Sequence, residues 1–156
     1  MTHLKTLIPA VSLVLLGMAG CQQAAKTNSD APDPTASQVE TPTTTTAKST
    51  QDDATSKIRR DQLNSDIRAR EQRNNTANKG GATNRSDTDL ASEVRSKLEV
   101  NLPASALAVT AKDGAVMVTG TVPTQAQFDR ISGLAKEIKG VSAVTMKVAV
   151  APAKAN

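Results

Sequence analysis

The sequence contains almost no aromatic residues, histidine or cysteine. Phe128 is the one aromatic residue, and His3 and Cys21 are the only residues of their types. Beyond residue 21 the chain therefore lacks ligands for a His/Cys metal site, and it lacks a Ser–His or Cys–His pair for nucleophilic catalysis. Aromatic platforms for single-stranded nucleic acid are also missing. With no cluster of carboxylates, lysines or hydroxyls to replace them, we expect a protein that is not an enzyme and uses no cofactor or metal.

The charge is also too small and too evenly spread for a nucleic-acid binder. Nineteen Lys and Arg residues against 15 Asp and Glu residues give a net charge of +4. No segment is a strong polycation, so we expect no nucleic-acid partner. A weak attraction to an anionic surface remains compatible with this charge.

The N-terminus has the pattern of a bacterial lipoprotein signal. A short basic start precedes an apolar run from residue 7 to 19, which is too short to span a bilayer. The run ends in Met18-Ala19-Gly20-Cys21, which resembles a lipobox. That resemblance implies removal of residues 1–20 and acylation of Cys21. The alternatives are an ordinary secretory signal with a chance cysteine, or a short buried helix. An Asp directly after the lipidated cysteine is the usual signal for retention in the inner membrane. Position 22 is Gln instead, which favours an anchor in the outer membrane, facing the periplasm.

Residues 21–85 are predicted to form a disordered tether. The stretch is rich in Thr, Ser, Asn and Ala, and its large apolar side chains are only Val39, Ile58, Leu63 and Ile67. A chain of this composition cannot bury enough apolar surface to offset the entropy of ordering.

Within the tether, residues 57–73 form a basic segment with six bases and three acids. One interpretation is a short helix that lies on anionic headgroups. Its candidate membrane contacts are Lys57, Arg59, Arg60, Arg68, Arg70 and Arg73. The alternative is a solvated helix without a partner.

Residues 86–151 are predicted to form one folded domain. Leu90, Val94 and Leu98 repeat every four residues, which indicates a helix that begins at Ser86 or Asp87. A β-hairpin follows, because Asp-Gly at positions 113 and 114 suits a type I′ turn. With Lys112 paired to Ala115, every second pair of the hairpin is apolar.

The second half of the domain adds a helix and a third strand. Thr124 and Gln127 match a capping box, and apolar residues then follow at helical spacing up to Ile138. Residues 141–150 alternate as a strand does. The predicted fold is α+β in the order α-β-β-α-β, with both helices on one face of a three-stranded mixed sheet and a flexible tail at residues 152–156.

These motifs resemble the BON domain (bacterial osmotic-shock-protein and nodulation domain). The resemblance rests on the helix start at residues 89–94, the hairpin at residues 109–122 and the Gly-Val-x-x-Val ending at Val144. It implies a non-enzymatic envelope protein that associates with phospholipid or with envelope maintenance under stress. Many members carry two copies of the domain, whereas this sequence shows one.

Three glycines are assigned structural roles: Gly114 in the turn, Gly120 under a helix and Gly140 as a helix cap. The open face of the sheet, with Thr110, Met117 and Thr119, is a candidate partner surface.

The sequence thus predicts a lipid-anchored envelope protein that binds membrane phospholipid through acylated Cys21, and through the domain as well. The alternative is a tethered module that docks an envelope protein through the open sheet face. The sequence does not predict the oligomeric state.

Overall fold

The computed structural model describes residues 24–33 and 41–152. The elements are, in chain order, β1 (Ala25–Lys26), α1 (Thr44–Thr55), α2 (Lys57–Asn78), α3 (Asp87–Asn101), β2 (Ala106–Lys112), β3 (Ala115–Val122), α4 (Gln125–Lys136) and β4 (Ala143–Val150). The α+β class and the order of elements from α3 onward are confirmed. The predicted signal peptide, the lipidation of Cys21 and residues 153–156 of the tail lie outside the described residues.

The hairpin of β2 and β3 has the predicted register. Lys112 pairs with Ala115, and the antiparallel pairing continues to Ala106 and Thr121. Asp113 and Gly114 have φ of 49° and 84°, as a type I′ turn requires. The turn chemistry and the alternation of apolar residues agree, and together they set which residues face the core.

The sheet order is β1-β2-β3-β4, with β3 and β4 parallel. The core lies between one face of this sheet and the helices α3 and α4. It contains the following buried residues: Leu90, Val94, Leu98, Leu107, Val109, Val116, Val118, Val122, Ile131 and Leu134. Phe128 is half-buried and packs against them.

Both helices of the domain begin at the expected residues. Ser86 caps α3 by accepting a hydrogen bond from the Asp89 amide, and Thr124 caps α4 by accepting one from Gln127. The capping box is only half formed, because the Gln127 side chain donates to Pro103 O at 3.0 Å. Gly140 does not cap α4 either, since that helix ends at Lys136 and Gly140 lies in the following loop with φ 97°.

A fourth strand corrects the predicted three-stranded sheet. β1 pairs antiparallel with β2, and Thr27 extends the contact by donating its amide to Leu107 O at 2.8 Å. Leu107 in turn donates its amide to the Thr27 hydroxyl at 2.9 Å. The strand satisfies backbone groups along the edge of β2, and with two residues it is too short to show a periodic pattern.

Two further helices correct the predicted disordered tether at residues 44–78. Thr43 caps α1, and Ser56 both ends α1 and caps α2 by accepting from the Arg59 amide at 3.1 Å. α2 ends at Asn78, and Lys79 caps it in the left-handed conformation with φ 51°. Leu63 is the one large apolar side chain of α2 that is buried, so the hydrophobic pattern could not predict that this helix would pack on another element.

The second face of the sheet is less open than predicted. Ala106, Ala108, Thr119 and Thr121 are buried there, while Thr110 and Met117 are half-buried.

Candidate functional site

The candidate site is the charged contact between α2 and α3. Residues 59, 63, 66, 70 and 73 of α2 follow one another by four, three, four and three positions, so they share one face of the helix. That face carries arginines around Leu63, whose side chain is 2% exposed. The facing side of α3 carries carboxylates, so the two helices meet through opposite charges.

Three arginines of α2 bind carboxylates of α3. Arg59 donates through Nε to Glu99 Oε1 at 2.7 Å. Arg70 and Arg73 both donate to Asp89 Oδ1, each at 2.7 Å. Because Asp89 receives two guanidinium groups, it joins the C-terminal half of α2 to the first turn of α3.

In one contact the roles are reversed, because α2 provides the carboxylate, Asp66, and α3 provides the donors. The Asp66 carboxylate accepts from the Ser96 hydroxyl at 2.9 Å and lies 3.5 Å from the Arg95 guanidinium. Arg95 also binds Glu99 Oε2 at 3.0 Å. The contact is therefore a network of alternating charges, and Ser96 and Glu99 are buried beneath it.

The ion pairs shift the pKa values of the groups that form them. Hydrogen bonding to Arg73, with a further bond from Arg70, holds the pKa of Asp89 below its ordinary value despite partial burial. Burial acts to raise the pKa of Asp66, but the bonds from Arg70 and Ser96 and the nearby guanidinium charges lower it more. The hydrogen bond to Glu99 raises the pKa of Arg59. Asp66, Asp89 and Arg59 are thus held in their charged forms.

A second, deeper pair lies beside this network. Arg85 Nη2 donates to Glu93 Oε1 at 2.6 Å, and both side chains are almost completely buried. Arg85 Nη1 also donates to Glu71 at 2.8 Å and to the Lys139 carbonyl at 2.5 Å. Arg85 therefore connects α2, α3 and the loop between α4 and β4.

Among the described residues, the side chain of Glu93 has the pKa that is shifted most from its ordinary value. Burial, together with the charge of Glu71, outweighs the attraction of Arg85 and raises the pKa of Glu93 to about 7. Oε2 of Glu93 and Nε of Arg85 have no hydrogen-bond partner within the described part of the chain.

The charged side chains of this contact position α2 on α3 and are suited to binding groups of opposite charge. Within residues 24–33 and 41–152, no three His, Cys, Asp or Glu side chains converge as a metal site would require. Among the same residues, no helix has the length and apolar content needed to cross a membrane.

The structure divides the predicted membrane contacts into two groups. Arg59, Arg70 and Arg73 face α3 and are paired there. The others point outward: Lys57 is bonded to Asp61 at 2.6 Å, while Arg60 and Arg68 are exposed.

The predicted partner face is reduced in the structure. Thr119 is 6% exposed and its hydroxyl is directed to Ala108 O at 3.5 Å, so it is not available to a partner. Thr110 and Met117 are half-buried.

Sequence reasoning missed the acidic side of the site. Asp89, Glu93 and Glu99 lie outside the apolar stripe of α3, and the sequence analysis assigned them no partner. The signal that could have revealed them is the matching helical spacing of the arginines on α2.

The comparisons with known proteins concern the part of the chain that carries α3 to β4. The model of the BON domain family matches residues 86–152. These residues are a BON domain. The domain includes Asp89, Glu93 and Glu99, whereas α2, with its arginines, precedes it.

One curated relative is the Osmotically-inducible protein Y of Escherichia coli (strain K12). It is 40% identical over 60 residues, which are 37% of this chain and 30% of the relative. The chain thus matches less than a third of the length of that protein. No solved structure matches the chain significantly.

Proposed function

We propose that the protein is a lipid-anchored component of the cell envelope whose BON domain, with α2, meets anionic phospholipid and serves envelope maintenance under stress. The lipobox-like sequence Met18-Ala19-Gly20-Cys21 carries the proposal of anchoring. The BON domain, and a relative named as osmotically inducible, support a protein associated with osmotic stress or with the envelope.

Two contributions to membrane binding are proposed to add. Acyl chains on Cys21 would provide retention, because each buried CH₂ contributes about 0.8 kcal/mol. Exposed bases such as Arg60 and Arg68 would contribute on the order of 1 kcal/mol each near an anionic surface. The second contribution depends on salt and the first does not.

The lipid part is tested by sedimentation of residues 22–156 with vesicles. This chain includes every described residue and lacks Cys21. We expect binding to vesicles of phosphatidylcholine and phosphatidylglycerol in equal parts, weakening with salt, and little binding to phosphatidylcholine alone. Equal binding to both vesicles, or binding to neither, would overturn the proposal for the folded part.

A matched pair of variants locates the lipid contact. Arg60→Gln with Arg68→Gln removes two exposed charges from α2, and Arg130→Gln with Lys136→Gln removes two exposed charges from α4. The α2 variant should bind anionic vesicles several-fold more weakly than the α4 variant. Equal losses would mean that net charge, rather than α2, determines binding.

The anchor is tested in cells by Cys21→Ser. The unaltered protein should fractionate with membranes and carry a mass increase from acyl chains at its mature N-terminus, and the variant should lose both. Membranes are washed at high salt to remove the electrostatic contribution, and unchanged fractionation of the variant after that wash would exclude Cys21 as the anchor.

A further inference from the structure

The contact between α2 and α3 is held mainly by charge. Leu63 is the one large apolar side chain of α2 that is fully buried, while Arg59, Arg70 and Arg73 all bind carboxylates of α3. Arg73 is about half exposed at its side chain, and Asp89 is 20% exposed. Ion pairs with this access to solvent are individually weak and are screened by salt.

The same arginines are half of the positive charge of the basic segment. Residues 57–73 hold six bases and three acids, a net charge of +3. Three of the six bases are bound to α3 while α2 is docked. A docked α2 therefore presents much less positive charge to an anionic surface than a released α2.

We propose that α2 is an electrostatic latch, in which Asp89 and Glu99 of α3 compete with anionic phospholipid for Arg59, Arg70 and Arg73. Docking on α3 holds these arginines away from the membrane, and an anionic surface of sufficient charge density releases α2 from α3. The inference rests on the proposed function for the identity of the competing surface. The docking itself does not depend on it.

Two features of the chain fit a releasable helix. α2 precedes the residues that match the BON domain, so it is an addition to a domain with its own core. The attraction of a basic residue to an anionic membrane is of the same order as a partly exposed ion pair. For the ion pairs at Asp89 the exchange is therefore close to balanced, and the burial of Leu63 and Glu99 is what an anionic surface has to outweigh to release α2.

The first experiment weakens the latch without altering α2. Asp89→Asn with Glu99→Gln removes the two competing carboxylates and keeps the shapes of both side chains. Asp113→Asn with Asp129→Asn is the control, because it changes the net charge equally at an exposed turn and on α4. Asn suits position 113, where φ is 49°.

The readout is the affinity of residues 22–156 for phosphatidylcholine–phosphatidylglycerol vesicles. The latch predicts that Asp89→Asn with Glu99→Gln binds several-fold more tightly than both the unaltered chain and the control. If that double variant does not fold, Asp89→Asn against Asp129→Asn makes the same comparison, since Asp89 is bound by two of the three arginines.

A distance measurement tests release directly. Residues 22–156 contain no cysteine, so Gln62→Cys and Ala126→Cys place spin labels on exposed sites of α2 and α4. We expect one short distance in solution, and a longer or broader distribution on anionic vesicles. Neutral vesicles should leave the distribution unchanged.

The outcomes separate the two proposals. If the unaltered chain binds anionic vesicles but the carboxylate variant binds no better than the control, or if the label distance is unchanged in the bound protein, the latch is wrong and the lipid function stands. If no form of the chain binds either vesicle, the lipid function fails and the latch fails with it.

Discussion

At the scale of single residues, the most informative feature is the burial of Glu93 against Arg85. Glu93 is 0% exposed, and one of its oxygens has no partner among the described residues. Removing a carboxylate from water disfavours its charged form, so the pKa of Glu93 rises to about 7. The protonation of one side chain is thereby coupled to folding near neutral pH.

Glu93→Gln is expected to remove a pH dependence of stability. The folded pKa of Glu93, about 7, lies above the ordinary glutamate value of 4.5. The contribution of Glu93 to stability is therefore fully present below the unfolded pKa and is lost as pH rises through the folded pKa. The unaltered protein should therefore gain about 1–3 kcal/mol between pH 8 and pH 5, since one pKa unit corresponds to about 1.36 kcal/mol.

Urea denaturation at several pH values between those limits measures the effect. The Gln variant, which resembles the protonated form, should show a nearly flat profile. A variant with the same slope as the unaltered protein would assign the pH dependence to other groups. Asp66 and Asp89 do not confuse the comparison, because their pKa values are lowered and their contributions are lost only at more acidic pH.

A second residue-scale prediction concerns two glycines. A Cβ at Gly120 would lie 2.0 Å from Ala106 O, and the φ of Gly120 is 127°. Gly120→Ala should therefore destabilise the protein by about 3 kcal/mol. Gly133→Ala is the control, because nothing lies within 4 Å of its Cβ in α4, and it should stabilise by about 1 kcal/mol at most. Similar urea midpoints for the two variants would contradict this account of Gly120.

At the scale of elements, α2 differs from the other long helix. α3 buries a stripe of Leu90, Val94 and Leu98 against the sheet, whereas α2 buries Leu63 and otherwise depends on ion pairs. Isolated helices of low apolar content are marginal in water, so the order of α2 depends on its docking. α2 is therefore held by charge where α3 is held by apolar burial.

Leu63→Ala is expected to lower the free energy of unfolding by about 2 kcal/mol, because it removes the one large buried apolar contact of α2. Ile58→Ala on the same helix is the control. Its side chain is 74% exposed, so its effect should stay within about 0.5 kcal/mol. Loss of helical circular dichroism in the Leu63 variant alone would accompany detachment of α2. Equal effects of the two variants would mean that α2 is not docked in solution.

At the scale of the whole molecule, the fold combines a hydrophobic domain with a charged addition. β2 and β3 lie inside the four-stranded sheet, and their core residues are closed to water. α2 is attached in part through ion pairs that solvent ions can reach, above all the pair of Arg73 and Asp89. Such a molecule should open in stages, with α2 opening at a lower free energy than the sheet.

Amide hydrogen exchange at low and high salt should show that α2 opens more easily than the sheet. Between about 0.1 M and 1 M salt the screening length falls from roughly 10 Å to 3 Å. Amides of α2 should then exchange faster, while those of β2 and β3 should change little, because hydrophobic burial is not weakened by screening. Equal acceleration in both elements would mean that salt acts on the whole fold.

The local pattern of the sequence determined the domain. The Asp-Gly turn, the alternation around it and the apolar stripes of α3 and α4 predicted the hairpin register and the helix starts, because each depends on neighbours within a few residues. The strand-helix-strand order of the second half predicted the parallel third strand. Gly120 was assigned a structural role, although its close approach to Ala106 O appears only in the structure.

Only the tertiary structure decided the rest. The docking of α2, the burial of Glu93 with Arg85 and the edge strand β1 all join residues that are far apart in the chain or that lack a periodic apolar signal. A charge stripe on one helix does not specify which carboxylates it will meet, because ion pairs act at short range between elements that the hydrophobic core has first brought together.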